Sequence, residues 1–301
     1  MRKSFVFLVF PIISVACTTV VDFDIPQNKP KVVVNALFSP DSVWRIQISR
    51  SNSILDTNLS FGFVSIGDAV VTILDQNNQF VETITGIPTG LFGDFFSYSY
   101  KGKTKPMPGQ SYTVQVAVKD EPNIKAINKV PTLVSITSVE IDSSRFISDR
   151  EPIEMDITFK DPGGEKNYYT VKVIGDSYYI PNKDTVWVTR EINVKVVDPS
   201  LNEEFKESDR FINDNLFNGK NYTLHLKLFS QPYWGPQSPV TVHARVILVS
   251  ISEEYYKYFT TKNLQDYTNG DPFAQPVQVF SNVENGLGIF AGYSSSVVEL
   301  K

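Results

Sequence analysis

Between residues 31 and 251 apolar and polar positions alternate in short runs broken by Gly, Pro, Asn and Asp. From Val43 to Ser49, Trp44, Ile46 and Ile48 fall on one face and Val43, Arg45, Gln47 and Ser49 on the other. That period of two predicts a half-buried strand. The β-branched run Lys31–Leu37 precedes it, and Ser39-Pro40-Asp41-Ser42 lies between. Proline presets a turn φ and aspartate bonds its own backbone, so a hairpin is predicted. Residues 69–85 predict a second hairpin, with Val71, Ile73 and Phe80 around the turn cluster 75–79. Strands follow at 92–100 and 109–118, with Gly109 supporting a turn and Tyr112 capping the core. Residues 128–136 read as a linker. Further strands are predicted at 152–174 around the Asp161-Pro162-Gly163-Gly164 turn, and at 184–197, 221–230 and 239–251. In the last, Val240, Val242, Ala244, Val246 and Leu248 form an apolar row opposite Thr241, His243 and Arg245.

The period changes once. From Ser250 onward, Tyr255, Tyr258, Phe259 and Lys262 share one side at helical spacing. Ser250 and Glu253 match a capping box, and Glu253 and Glu254 suit a helix start. A helix over 252–266 is predicted, its aromatic stripe packed on a sheet. Residues 277–300 read as short strands and glycine-rich turns. The prediction is therefore a mainly β protein of two β-sandwich-like domains, 31–131 and 132–301, with one helix near the C-terminus. The phrases AVVTILD at 69–75 and PGQSYTVQV at 108–116 resemble those of immunoglobulin-like or prealbumin-like modules of bacterial surface proteins.

The N-terminus has a different character. Arg2 and Lys3 precede an uncharged run from Phe5 to Ala16. A membrane-spanning helix needs about 20 apolar residues, and Pro11 interrupts this shorter run. A positive start, a short apolar core and small residues before a cut are the anatomy of a secretory signal. Ser14-Val15-Ala16-Cys17 resembles a bacterial lipobox, with Ser14 where leucine is usual. The expectation is a lipoprotein signal at 1–16, acylation of Cys17, and a tether over 17–30 that Asp22 and Asp24 solvate and Pro26 and Pro30 stiffen. One acyl chain holds a membrane only marginally, so a multiply acylated cysteine suits stable anchoring. An ordinary cleaved signal with an incidental cysteine is the alternative.

Composition narrows the chemistry. A net charge of −5 and no basic stretch beyond the lysines of 101–105 argue against a nucleic-acid partner. The one cysteine rules out an internal disulfide. His225 and His243 lie in strand segments without neighbouring metal ligands or triad partners. Asp75 begins like a calcium loop, but Phe80 stands where glycine is needed and Gly86 where glutamate is needed. Asp161 and Glu165 would suit one cation; a plain turn is the expected role. No phosphate-binding glycine loop is present. No catalytic residue, cofactor or metal is predicted. Tyr233 and Trp234, stiffened by Pro232, Pro236 and Pro239, form the candidate contact loop. The alternative is a loop folded over its own core.

DIPQNKPKVVVNALFSPDSVWRIQISRSNSILD, from Asp24, and PFAQPVQVFSNVENGLGIFAGYSS, from Pro272, together resemble a lipoprotein family of Bacteroidota catalogued as domain of unknown function 4249. The resemblance implies location and company rather than chemistry: outer-membrane accessories often encoded beside TonB-dependent receptors. It carries no catalytic residues. The expected function is a lipid-anchored, non-enzymatic accessory of such an uptake receptor, at the outer membrane, with its membrane face and ligand unassigned. The alternatives are a structural or adhesive surface protein, and a hydrolase with an unrecognised carboxylate site.

Overall fold

β1 (Val32–Phe38) and β2 (Arg45–Arg50) form the predicted antiparallel hairpin, with Val33 facing Ser49 and Asn35 facing Gln47. The computed structural model describes residues 29–52, 64–92, 95–141, 152–180, 184–197, 210–229, 240–269 and 273–300. The alternation turns Val32, Val34, Ala36 and Phe38 inward together with Trp44, Ile46 and Ile48. Ser49 departs from its predicted outward face and is buried, where β3 (Val64–Ser65) pairs beside it.

The second hairpin joins β4 (Val70–Asp75) to β5 (Phe80–Thr85). Its turn is closed by Asp75 Oδ1, which accepts from the N–H groups of Asn77 and Gln79 at 2.8 Å each. Asn78 takes the left-handed conformation there, at φ 58°. β6 (Ile87–Phe92), β7 (Phe95–Lys101), β8 (Ser111–Ala117) and β9 (Ile124–Lys129) follow. The four-stranded sheet β5-β4-β8-β9 packs on β1, β2 and β7 through the first core, while β6 extends β7 at the edge. Phe38, Trp44 and Tyr112 meet between them, with centroids 5.0–6.2 Å apart. Gly109 sits at φ 73°, and the Tyr112 hydroxyl accepts from Met107 N–H at 2.9 Å. Both keep their predicted roles.

The second set is β10 (Ile136–Ile141), β11 (Ile153–Lys160), β12 (Tyr168–Tyr179), β13 (Val186–Val196), β14 (Phe211–Asn213), β15 (Asn221–Phe229) and β16 (Val240–Ile251). They enclose a second core of Met155, Ile157, Phe159, Tyr169, Leu226 and Leu248, among others. The protein is mainly β, with two sheets and a single helix near the C-terminus among the described residues.

That helix, α1 (Glu253–Thr268), starts later than the capping box predicted. Its cap is Ser252, whose Oγ accepts from Tyr255 N–H at 3.2 Å. Ser250 is still in β16, opposite Ser294, because the strand ladder runs on to Ile251. Tyr255, Tyr258 and Phe259 pack on Val249, Ile251, Ile289 and Ala291, as the stripe predicts.

The C-terminal segment corrects another expectation. In place of short strands and turns, Leu287–Leu300 is one strand, β17. Leu287 to Gly292 pair in parallel with β1, and Tyr293 to Leu300 pair antiparallel with β16. Fourteen residues at about 3.3 Å each span about 46 Å, enough to serve both cores. Phe290 lies in the first core, and Val298 and Leu300 pack on the second. Gly288 and Gly292 are sites of close backbone approach. Gly288 has φ 110°, and a Cβ there would lie 2.2 Å from Val34 O. The predicted linker also ties the units together, because Val130 is buried in one core and Val134 in the other.

Candidate functional site

Cys17, Tyr233 and Trp234, the residues singled out from the sequence, all lie outside the described residues. Asp161 is buried and its carboxylate faces inward. It accepts from the Tyr169 hydroxyl and, at 2.8 Å, from Gly219 N–H. Burial raises its pKa, against the pull of those two donors. Glu165 turns away to Lys129, at 3.6 Å. The two acids are not brought together, and the turn reading stands.

His225 and His243 are surface residues on strands. His225 Nδ1 is 2.7 Å from Asp156. His243 lies between Asp176, 3.2 Å from Nδ1, and Glu299, 2.8 Å from Nε2. Arg245 and the Thr189 hydroxyl also bond Asp176, whose pKa is lowered first by Thr189 and then by His243. These are cross-strand pairs within one sheet face. Among the described residues, no group of three or more His, Cys, Asp or Glu side chains is arranged to hold a metal.

One concave site does arise from the architecture. β13 changes partner midway. Its first part, Val186 to Ile192, pairs with β12, and its last part, Asn193 to Val196, pairs with β15. On that side of β12 the ladder resumes only at Thr170, which faces Phe211 of β14. Val171 and Lys172 therefore stand at a fork where β13 and β14 diverge. α1 lies beside it and presents Tyr255, Phe259 and Asn263, spaced four apart along one face. The open cleft measures about 730 Å³.

Its lining is mixed. Phe211 and Phe259 stack, with centroids 6.0 Å apart and planes at 16°, and Phe229 closes another side. Three cations reach it: Lys172 from β12, Lys195 from β13 and Arg210 from just before β14. Glu191 is the one acid among the described lining residues, and its Oε1 accepts from Arg210 Nη1 at 2.5 Å, clasping the two sides of the fork. The Tyr255 hydroxyl is pushed up to about 12, by burial first and then by Tyr293 and Glu191. It stays protonated across the physiological range.

Sequence reasoning missed this site. Its residues come from five elements, and none of those stretches is unusual by itself. The available signal was the alternation at 191–195, which puts Glu191, Asn193 and Lys195 on one face. Tyr255 and Phe259 were visible as a stripe, but only as packing.

No curated protein matches the chain. A family model described as "Domain of unknown function (DUF4249)" matches residues 18–298, nearly the whole chain. On that match, the chain belongs to the DUF4249 family.

Proposed function

We propose that the protein is an outer-membrane lipoprotein, anchored through acylated Cys17, that acts without catalysis as an accessory to a TonB-dependent uptake receptor. The observation that carries the presentation half of this reading is the register of β17. The chain reaches the first core at Val32, beside Arg50 and next to the start of β17. β17 runs parallel to β1 and continues past it from Tyr293 to Leu300 into the second unit. An anchor upstream of β1 then leaves the second unit pointing away from the point of attachment. The tether over residues 17–30 reaches about 50 Å at full extension. Confinement to a membrane also raises the effective concentration at a membrane partner. The receptor half rests on the family resemblance.

The test is co-purification from mildly solubilised outer membrane. The expected result is a TonB-dependent receptor in stoichiometric company with the anchored chain, and its loss with Cys17→Ser, which also releases the chain from membranes. A Cys17→Ser chain that stays processed and membrane-bound in high salt refutes the anchor. An anchored chain with no receptor in its fraction favours the structural or adhesive alternative.

A further inference from the structure

We infer that the fork cleft binds a small anion with a flat apolar body, for which an aromatic carboxylate is the simplest case. This rests on reading the protein as a binding module and adds a ligand class to it. Small-molecule sites enclose about 300–1,000 Å³, with apolar walls and a few converging polar groups. The cleft, at about 730 Å³, has that size, with three phenylalanines in a wall that is more polar than usual.

The charge balance selects an anion. Among the described residues the cleft sets Lys172, Lys195 and Arg210 against one carboxylate, Glu191; Lys195 is engaged elsewhere, so Lys172 is the cation whose field favours negative charge there. Glu191 is already engaged by Arg210. Lys172 makes no hydrogen bond or ion pair among the described residues. It sits where the β12 ladder is interrupted on that side, between the Thr170–Phe211 and Val173–Ile192 pairs. A guanidinium fork held in place by Glu191 presents planar donors that match a carboxylate.

The walls select the body. Phe211, Phe229 and Phe259 are half-buried, so their remaining ring surface borders the cleft. Aromatic rings pair with flat partners in offset or edge arrangements, which a planar apolar body satisfies. A bare inorganic anion would leave these walls wet.

Titration calorimetry of the full chain with 2-naphthoate, neutral 2-naphthamide and acetate tests this. Naphthoate is expected to bind well ahead of both, since each comparator lacks one of the two features. Lys172→Gln should weaken naphthoate about fivefold and leave naphthamide unmoved, the size of one partly exposed charge. Glu191→Gln, which removes the one acid among the described lining residues while its amide oxygen can still accept from Arg210, should tighten naphthoate by a similar factor. A purely structural role for the pair would not produce opposite signs. Equal binding of naphthoate and naphthamide overturns the inference. So does acetate matching naphthoate, an unchanged affinity in Lys172→Gln, or no naphthoate binding at millimolar concentration by a chain with a normal melt. Each of those failures leaves receptor co-purification, and the accessory reading, standing.

Discussion

Gly292→Ala should be among the most damaging single-methyl additions to this protein. Gly292 faces Phe38 as the last pair of the β1–β17 ladder, and Tyr293 opens the pairing with β16. Its N–H donates to Asn128 Oδ1 at 2.8 Å and its carbonyl accepts from Ser252 N–H at 3.1 Å. A Cβ there would lie 2.3 Å from Lys129 O, 2.8 Å from Lys129 C and 2.9 Å from Val130 Cα, against 3.4 Å for an ordinary contact. All three are backbone atoms, so no side chain can swing aside. The strand must retreat by about 1 Å, while the Asn128 and Ser252 bonds and the β1 ladder hold it in.

Overpacking of this kind costs about 1–3 kcal/mol, and each hydrogen bond stretched in relief adds about 1 kcal/mol. The expected loss is about 2–4 kcal/mol. At about 2–4 °C per kcal/mol for a chain of this size, the melting midpoint should fall by at least about 4 °C. Because β17 is shared by both cores, the variant should also melt less cooperatively, with the two units parting. Circular dichroism against temperature and urea reads both effects. A midpoint within about 1 °C of wild type, with a single sharp transition, would refute the claim that β9 and β17 are locked backbone to backbone.

Trp44 is 1% exposed and its Nε1 donates to Thr104 Oγ1 at 3.1 Å; Trp44→Ala should cost about 3–5 kcal/mol in urea unfolding. Glu253 is held below the usual carboxylate range, first by its hydrogen bond to Lys257 and also by the Tyr168 hydroxyl. Its stabilisation is present above its ordinary value near 4.5 and is lost as pH falls through the lowered one, so a melt series from pH 6 to 3 should be shallower on the acid side in Glu253→Gln. The double change Tyr233→Ala, Trp234→Ala should weaken receptor capture by about 2 kcal/mol, or about thirtyfold; a lowered melting midpoint with intact capture would mark the loop as a lid on its own core.

The strands were legible in the sequence, and their arrangement only in part. Trp44, Ile46 and Ile48 announce their face because alternation is a local property with a period of two. The DPGG turn and the Asp75 turn are equally local. The helix cap was misread by two residues because Ser250 and Ser252 both precede acidic residues, and only the β16–β17 ladder, a pairing across more than 40 residues, decides between them. β17 was misread for a similar reason. Glycines in a strand mark either a break or a close approach, and only the carbonyls of Val34 and Lys129 show which. The fork cleft has no local signature, since it exists only where β13 leaves β12 for β15.

β13 and β17 each change partner midway, and the protein treats the two places differently. At the β17 crossing Gly292 is satisfied from within. Asn128 Oδ1 takes the Gly292 N–H, Asn128 Nδ2 reaches Glu254 at 2.5 Å, and Ser252 N–H meets the Gly292 carbonyl. Asn128 is itself buried, and a Cβ at Gly292 would have no room. Such a crossing is structural, because both backbone groups of Gly292 are satisfied within the chain. At the β13 fork the opening is kept. Its aromatic walls are only half-covered, Glu191 is spent on holding Arg210, and Lys172 is left with no partner among the described residues. Fully satisfied polar groups rigidify a fold, whereas a charge and ring faces left without partners around a concavity are suited to something that comes and goes. The same folding device thus yields a joint in one place and a receptive cleft in the other, and Lys172→Gln beside Gly292→Ala separates them. The first should alter ligand affinity with the melt unchanged; the second should lower the melt.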